Sequence, residues 1–125
     1  MSERRGLCFF DFGSAELSPH CQGDLLIVAA SWHRMRLGEY RREWDGTLLP
    51  AATMRFEIAG HADAAEGMAG KAGVSRARAE AVAAFLRLNG VPSDLVRVSS
   101  FGSERPLVPG SGADSQNRRS ELVIR

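Results

Sequence analysis

A chain of 125 residues suits one domain, large enough to bury a single core without staples. Its apolar content of 44% and charged content of 25% are those of an ordinary soluble globular protein. A formal charge of +1 supplies no field that implies nucleic acid, and no apolar run approaches the ~18–20 residues needed to span a bilayer.

Leu7 to Phe12, compact and aromatic, reads as a strand. Ser18-Pro19 then gives an N-cap with proline at the first helical position. The helix runs to Leu37 with Gly38 as its stop, and Leu25, Val28, Ala29, Trp32 and Met35 form its buried stripe. Residues 39–53 break the pattern. Asp45-Gly46 is a turn dipeptide and Pro50 ends any regular continuation. Arg34, Arg36, Arg41 and Arg42, with Tyr40 and Trp44, read as a solvated helix end followed by a loop or hairpin rather than as a surface for an anionic partner.

Met54 to Ala59 alternates, with Met54, Phe56 and Ile58 to one face and Arg55 and Glu57 to the other, as a half-buried strand does. Gly60-His61-Ala62-Asp63 is its exit loop. A second helix carries Ala77 to Leu88 and closes at Asn89-Gly90. Its start is open: Ser75 is a fair N-cap, yet Met68 to Val74 can hold an earlier turn or two. Val96 to Phe101 is a third strand, Gly102 to Ser115 a loop, and Glu121 to Ile124 the last strand. The order β-α-β-α-β-β predicts an α+β fold, a two-layer α/β sandwich whose four-stranded mixed sheet is covered by helices on one face. The whole of 1–125 reads as one domain with an irregular insertion at about 39–53.

Cys8 and Cys21 lack the spacing of a zinc or redox site, and one bridge between them is open in an oxidising compartment. Cys8 is not expected to carry lipid, because the seven residues before it include Arg4 and Arg5 and no apolar signal region. His20 and His33 in the first helix have surface or packing roles only.

Five segments together carry a resemblance. Phe9-Phe10-Asp11-Phe12-Gly13-Ser14-Ala15-Glu16-Leu17-Ser18-Pro19 is similar to the opening F-D-F-x-x-A-x-L-x-P of the OmpA-like family. Gly60-His61-Ala62-Asp63 resembles its G-H-T-D, and Ser75-Arg76-Ala77-Arg78-Ala79 with Val82 its L-S-x-x-R-A-x-x-V. Gly102-Ser103-Glu104-Arg105-Pro106 resembles G-x-E-x-P, and Asn117-Arg118-Arg119 with Glu121 resembles N-R-R-x-E. Order and spacing hold from Phe10 to Ile124. The resemblance implies noncovalent binding of peptidoglycan through the diaminopimelate end of its stem peptide, in the periplasm, with no cofactor and no catalysis. Its two key residues fall on Asp63 and Arg78, fifteen residues apart.

The chemistry of that pair is sound. A free amino-acid end presents an ammonium and a carboxylate a few ångströms apart. A guanidinium such as that of Arg78 can take the carboxylate through two parallel hydrogen bonds, and Asp63 can accept from the ammonium. Backbone N–H groups of the Gly60–Asp63 loop could add donors for the anionic part. Losing one partner of such a desolvated pair costs ~2–5 kcal/mol. Without the resemblance, an internal Asp63–Arg78 ion pair would be the plainer reading. Of Arg118 and Arg119, one is expected to point inward and fix the Asp63 loop while the other is solvated. Asp11 and Gly13 are expected to border the pocket.

The chain departs from the pattern at four places. Ala62 replaces the threonine before the aspartate, Glu66 replaces a glycine, and Lys71, the only lysine, replaces an asparagine. If the segment is helical, Lys71, Ser75 and Arg78 share one face, and the lysine either strengthens a carboxylate grip or repels an ammonium. Ser120 replaces an apolar residue. Two rivals follow. His61, Asp63 and Glu66 offer a weak metal-like spacing, and Ser75 with His61 and Asp63 a triad without a nucleophile elbow. The stronger rival is a module that keeps the fold but binds an envelope protein instead of peptidoglycan.

Overall fold

The computed structural model describes residues 4–37, 40–42, 48–50, 55–71, 73–109 and 112–125. Strand β1 is Arg4–Phe9 and helix α1 Pro19–Leu37, followed by the short strands β2, Tyr40–Arg42, and β3, Leu48–Pro50. Strand β4 is Phe56–Gly60, helix α2 Ala64–Met68, helix α3 Val74–Leu88, strand β5 Val96–Ser100 and strand β6 Arg119–Ile124. Four strands form one sheet in the order β1-β6-β4-β5. β4 and β5 run parallel, whereas β6 is antiparallel to both β1 and β4. The expected α+β sandwich with a mixed four-stranded sheet is the observed one.

Local chemistry explains the elements. The Cys21 N–H donates to Ser18 Oγ at 3.1 Å, so Ser18 caps α1 and Pro19 occupies a first-turn position that needs no donor. Cys21, Leu25, Ala29 and Trp32 are its buried stripe and Val28 is half-buried. The stop expected at Gly38 and the side chain of Met35 lie outside the described residues. Ala79, Val82, Ala83 and Leu86 form the matching face of α3. That helix ends at Asn89 and Gly90, whose φ of 94° suits glycine. Phe56 and Ile58 on β4 belong to the same buried cluster as both stripes, each 1% exposed or less, and each such side chain contributes about 1.5–3 kcal/mol through its burial.

Several boundaries differ from the sequence-based expectation. β1 spans Arg4–Phe9 rather than Leu7 to Phe12 because the Asp11–Ser14 turn intervenes. There the Ser14 N–H meets the Asp11 carbonyl at 3.0 Å and Gly13 takes a φ of 70°. In the irregular segment, β2 and β3 pair as an antiparallel hairpin, from Tyr40 opposite Pro50 to Arg42 opposite Leu48. Trp44, Asp45-Gly46 and Met54 lie outside the described residues. The second helical region is two helices. Lys71 sits between them, its N–H on the Glu66 carbonyl and its carbonyl taking the Val74 N–H, so the helical Lys71–Ser75–Arg78 face does not form.

A disulfide joins Cys8 on β1 to Cys21 on α1 across 13 residues. Closing a loop of that size restricts the unfolded chain by about 3 kcal/mol. Reduction, or Cys21→Ser, is therefore expected to lower the thermal midpoint by roughly 10 °C. Calorimetry with and without reductant checks it, and an unmoved midpoint would refute the contribution.

Candidate functional site

The site forms where β4 ends. Gly60, its last residue, runs against α3 so closely that a Cβ there would lie 1.7 Å from the Ser75 carbonyl oxygen. Only glycine fits. The next residues turn into the sheet's end, where the His61 N–H donates to the Arg119 carbonyl and the Ala62 N–H to Gly102.

Asp63 then caps α2. Its carboxylate accepts from the Glu66 N–H at 2.7 Å while the Glu66 carboxylate accepts from the Asp63 N–H at 3.0 Å, a reciprocal capping box. The other Asp63 oxygen accepts from Arg118 and from the Asp114 N–H, both at 3.0 Å. Asp63 is fully buried. Burial raises its carboxyl pKa, but the Glu66 N–H, the Arg118 guanidinium and the Asp114 N–H outweigh that and hold it below the ordinary carboxylate range.

Arg78 does not meet Asp63. Its guanidinium, 0% exposed, forms a two-point pair with Glu66, also 0% exposed, at 2.7 and 2.5 Å. Its remaining donors reach the carbonyls of Ser14 at 2.9 Å, His61 at 3.0 Å and Asp11 at 3.1 Å. A guanidinium has five N–H donors, and here all five are used. The group also lies 5.3 Å from the centre of the Phe10 ring. Glu66 is equally complete, since its oxygens accept from Arg78 twice, from Asp63 N–H and from Gly13 N–H at 2.7 Å. Burial raises the Glu66 carboxyl pKa, and Arg78 with the two backbone donors lowers it further than burial lifts it.

Other anticipated residues gather around these two pairs. Asp11 and Gly13 line the cluster through their backbone, as just described. Ala62 is buried beside it. The exposed Lys71 lays its stem over the Gly13 turn, its Cδ 3.7 Å from where a Gly13 Cβ would stand. Arg118 points inward to the Phe10 carbonyl at 2.9 Å and to Asp63, with its side chain 14% exposed. That uses two of its five donors. Among the described residues the other three meet no protein acceptor. Ala64, Gly67, Met68, Ser75 and Phe101 line an adjoining open cleft of about 630 Å³.

Three expectations need correction. Arg119 is not solvated: it is 3% exposed and pairs with Glu121 at 2.6 Å while reaching the Arg105 carbonyl. The N–H groups of His61, Ala62 and Asp63 are not open donors, because each already serves a partner in the chain. Ser75 is no N-cap; it lies inside α3, and its hydroxyl accepts from the Gly102 N–H at 3.2 Å. His61 packs in the loop, stacked on Phe101. Its pKa is lowered to about 4 by burial first and by Arg119 and Arg105, against the opposing pull of Glu121.

Two contributors escaped the sequence reading. Glu66 was visible as a replaced glycine and as one member of a weak metal-like spacing, although Asp63-Ala64-Ala65-Glu66 has the spacing of a capping box. Asn117, buried, accepts from the N–H groups of Leu107 and Val108 and donates to the Val108 carbonyl, pinning the 102–115 loop. Its place in the closing motif was the available signal.

Comparisons with known proteins agree with this architecture. A peptidoglycan-associated lipoprotein of Legionella pneumophila is 38% identical over 71 residues, covering 55% of this chain and 40% of that protein. An outer membrane protein of Gluconacetobacter diazotrophicus is 30% identical over 110 residues, covering 78% of this chain and 29% of that protein. The chain thus spans well under half the length of these curated relatives. The crystal structure of the peptidoglycan-associated lipoprotein from Burkholderia pseudomallei superposes with a TM-score of 0.74 at 25% identity, over 95% of this chain and 89% of that one. The C-terminal domain of Helicobacter pylori MotB, at 17% identity and a TM-score of 0.68 over 96% of this chain and 84% of its own, shares the fold. The OmpA family model matches residues 47–120, and on that match the chain belongs to the OmpA family.

Proposed function

We propose that this domain binds peptidoglycan noncovalently through the diaminopimelate end of the stem peptide, and so holds an envelope protein to the cell wall in the periplasm. The observation that carries the reading is the Asp63–Arg118 pair at the end of β4. It puts a buried carboxylate beside a guanidinium with donors to spare, in a chain similar to a peptidoglycan-associated lipoprotein. Lys71 beside Gly13 adds a second cation at the rim, and the adjoining cleft gives the rest of the stem peptide a seat. The Cys8–Cys21 bridge suits an oxidising compartment outside the cytosol.

One observation favours a second reading. Because Arg78 has no donor left, the domain can be a module that keeps the fold and docks an envelope protein instead. Co-sedimentation with diaminopimelate-type sacculi separates the two. Wild type is expected in the pellet and released by excess soluble stem peptide. Asp63→Asn, checked for folding by circular dichroism, is expected to remain in the supernatant. Folded wild type left in the supernatant would end the peptidoglycan reading.

A further inference from the structure

We propose that Glu66 sets the ligand specificity of this site. It supplies from within the chain the carboxylate that Arg78 would otherwise take from a ligand. A stem peptide ending in a lone ammonium then binds as well as one ending in ammonium and carboxylate. The inference rests on the peptidoglycan reading and concerns which part of the stem peptide is recognised.

The geometry is that of an occupied carboxylate site. Two parallel bonds of 2.7 and 2.5 Å join a planar guanidinium to a planar carboxylate, the arrangement a bound amino acid would make. An incoming carboxylate has no sixth donor to use. It can reach Arg78 only by expelling Glu66, and expulsion breaks two further bonds, orphaning the Asp63 and Gly13 N–H groups. Leaving a buried donor unpaired is the costly half of hydrogen bonding. Glu66 is also tethered one turn into α2 by the capping box, so it competes at the high effective concentration of an attached group.

Charge bookkeeping points the same way. A glycine at position 66 would leave the buried cluster with Asp63 against Arg78 and Arg118, one positive charge in excess, suited to an extra carboxylate. Glu66 cancels that excess. The Asp63 carboxylate, although buried, uses three of its four acceptor directions, so a ligand group that reached it would have to bring a donor, as an ammonium does. The outward donors of Arg118 and the Lys71 ammonium meet solvent at the rim, where a carboxylate gains little from them.

The test uses two synthetic tripeptides that differ only in the third residue. One carries meso-diaminopimelate; the other carries lysine, which keeps the ammonium and lacks the carboxylate. Titration calorimetry of wild type is expected to give dissociation constants within about threefold of each other. Glu66→Gly frees the Arg78 guanidinium and is expected to prefer the diaminopimelate peptide by at least about tenfold, the scale of one charge-assisted hydrogen bond. A wild-type preference for diaminopimelate beyond about tenfold would overturn the proposal whatever the variant does. A folded Glu66→Gly protein that binds both peptides alike would overturn it too. If Glu66→Gly does not fold, the wild-type ratio decides alone. Absence of binding by either protein to either peptide removes the peptidoglycan reading itself, an outcome distinct from binding with the wrong preference.

Discussion

Arg78→Ala is expected to destabilise the domain by about 3–5 kcal/mol, the largest effect of any single substitution considered. The loss does not come from the value of the ion pair itself. Two charges were already taken from water to build it, and their attraction roughly repays that cost. Truncation removes one charge and leaves the Glu66 carboxylate buried with only backbone partners, while the carbonyls of Ser14 and His61 lose the Arg78 donor and that of Asp11 keeps only the Ser14 N–H. Because those carbonyls belong to the β1–α1 turn and to the exit of β4, the damage extends to the joint between two parts of the chain. Against a total stability of about 5–15 kcal/mol for a domain of this kind, the single variant sits near the edge of folding.

The double variant Arg78→Met with Glu66→Leu removes both charges together and is expected to recover most of the loss. Urea denaturation of the wild type, both single variants and the double variant gives the coupling directly. An Arg78→Ala protein within about 1 kcal/mol of wild type would mean that water reaches the pair and the cluster is not sealed. The same result bears on any binding assay: loss of binding by Arg78→Ala reports unfolding first, so the informative substitutions lie at Glu66 and Arg118.

What was legible in the sequence were features decided within a few residues. Ser18-Pro19 starts a helix because capping is local, and Phe56 and Ile58 face inward because strand side chains alternate. That one arginine of the closing motif turns inward was legible from the resemblance, but not that both Arg118 and Arg119 do. Pairing partners were a different matter. Arg78 chooses Glu66 over Asp63 because α2 turns the Glu66 side chain back beneath Gly13. Nothing in the spacing of residues 63, 66 and 78 decides between two carboxylates three positions apart. Nor could spacing reveal that Arg119, next to the mostly buried Arg118, is drawn inside by Glu121 across one strand face. Lys71 shares a face with Ser75 and Arg78 only if its segment is helical; Gly70, with a φ of 74°, lets the chain leave α2 before Lys71.

Acid is expected to weaken the fold in two stages, the first governed by His61. In the unfolded chain this imidazole takes a proton near pH 6.5, whereas in the folded protein it resists until about pH 4. Between those values the unfolded state binds a proton that the folded state refuses, so stability is present above pH 6.5 and falls as the pH drops towards 4. The difference corresponds to roughly 3 kcal/mol. The physical origin is plain in the structure. His61 is buried against Phe101, its Nε2 lies 3.5 Å from Glu121, and its Nδ1 has no partner among the described residues. A second proton would place an unpaired N–H and a charge beside Arg119. Below about pH 4 a second stage follows. Asp63 and Glu66, both held below the ordinary carboxylate range, must then be protonated against their guanidinium partners. Their contribution is complete above the unfolded carboxyl pKa values and disappears as the pH falls through the folded ones. Urea midpoints measured from pH 7.5 to pH 3 should therefore fall in two limbs. In His61→Gln, which cannot titrate, the upper limb should flatten while the lower one persists. An unchanged upper limb in that variant would assign the loss to some other group.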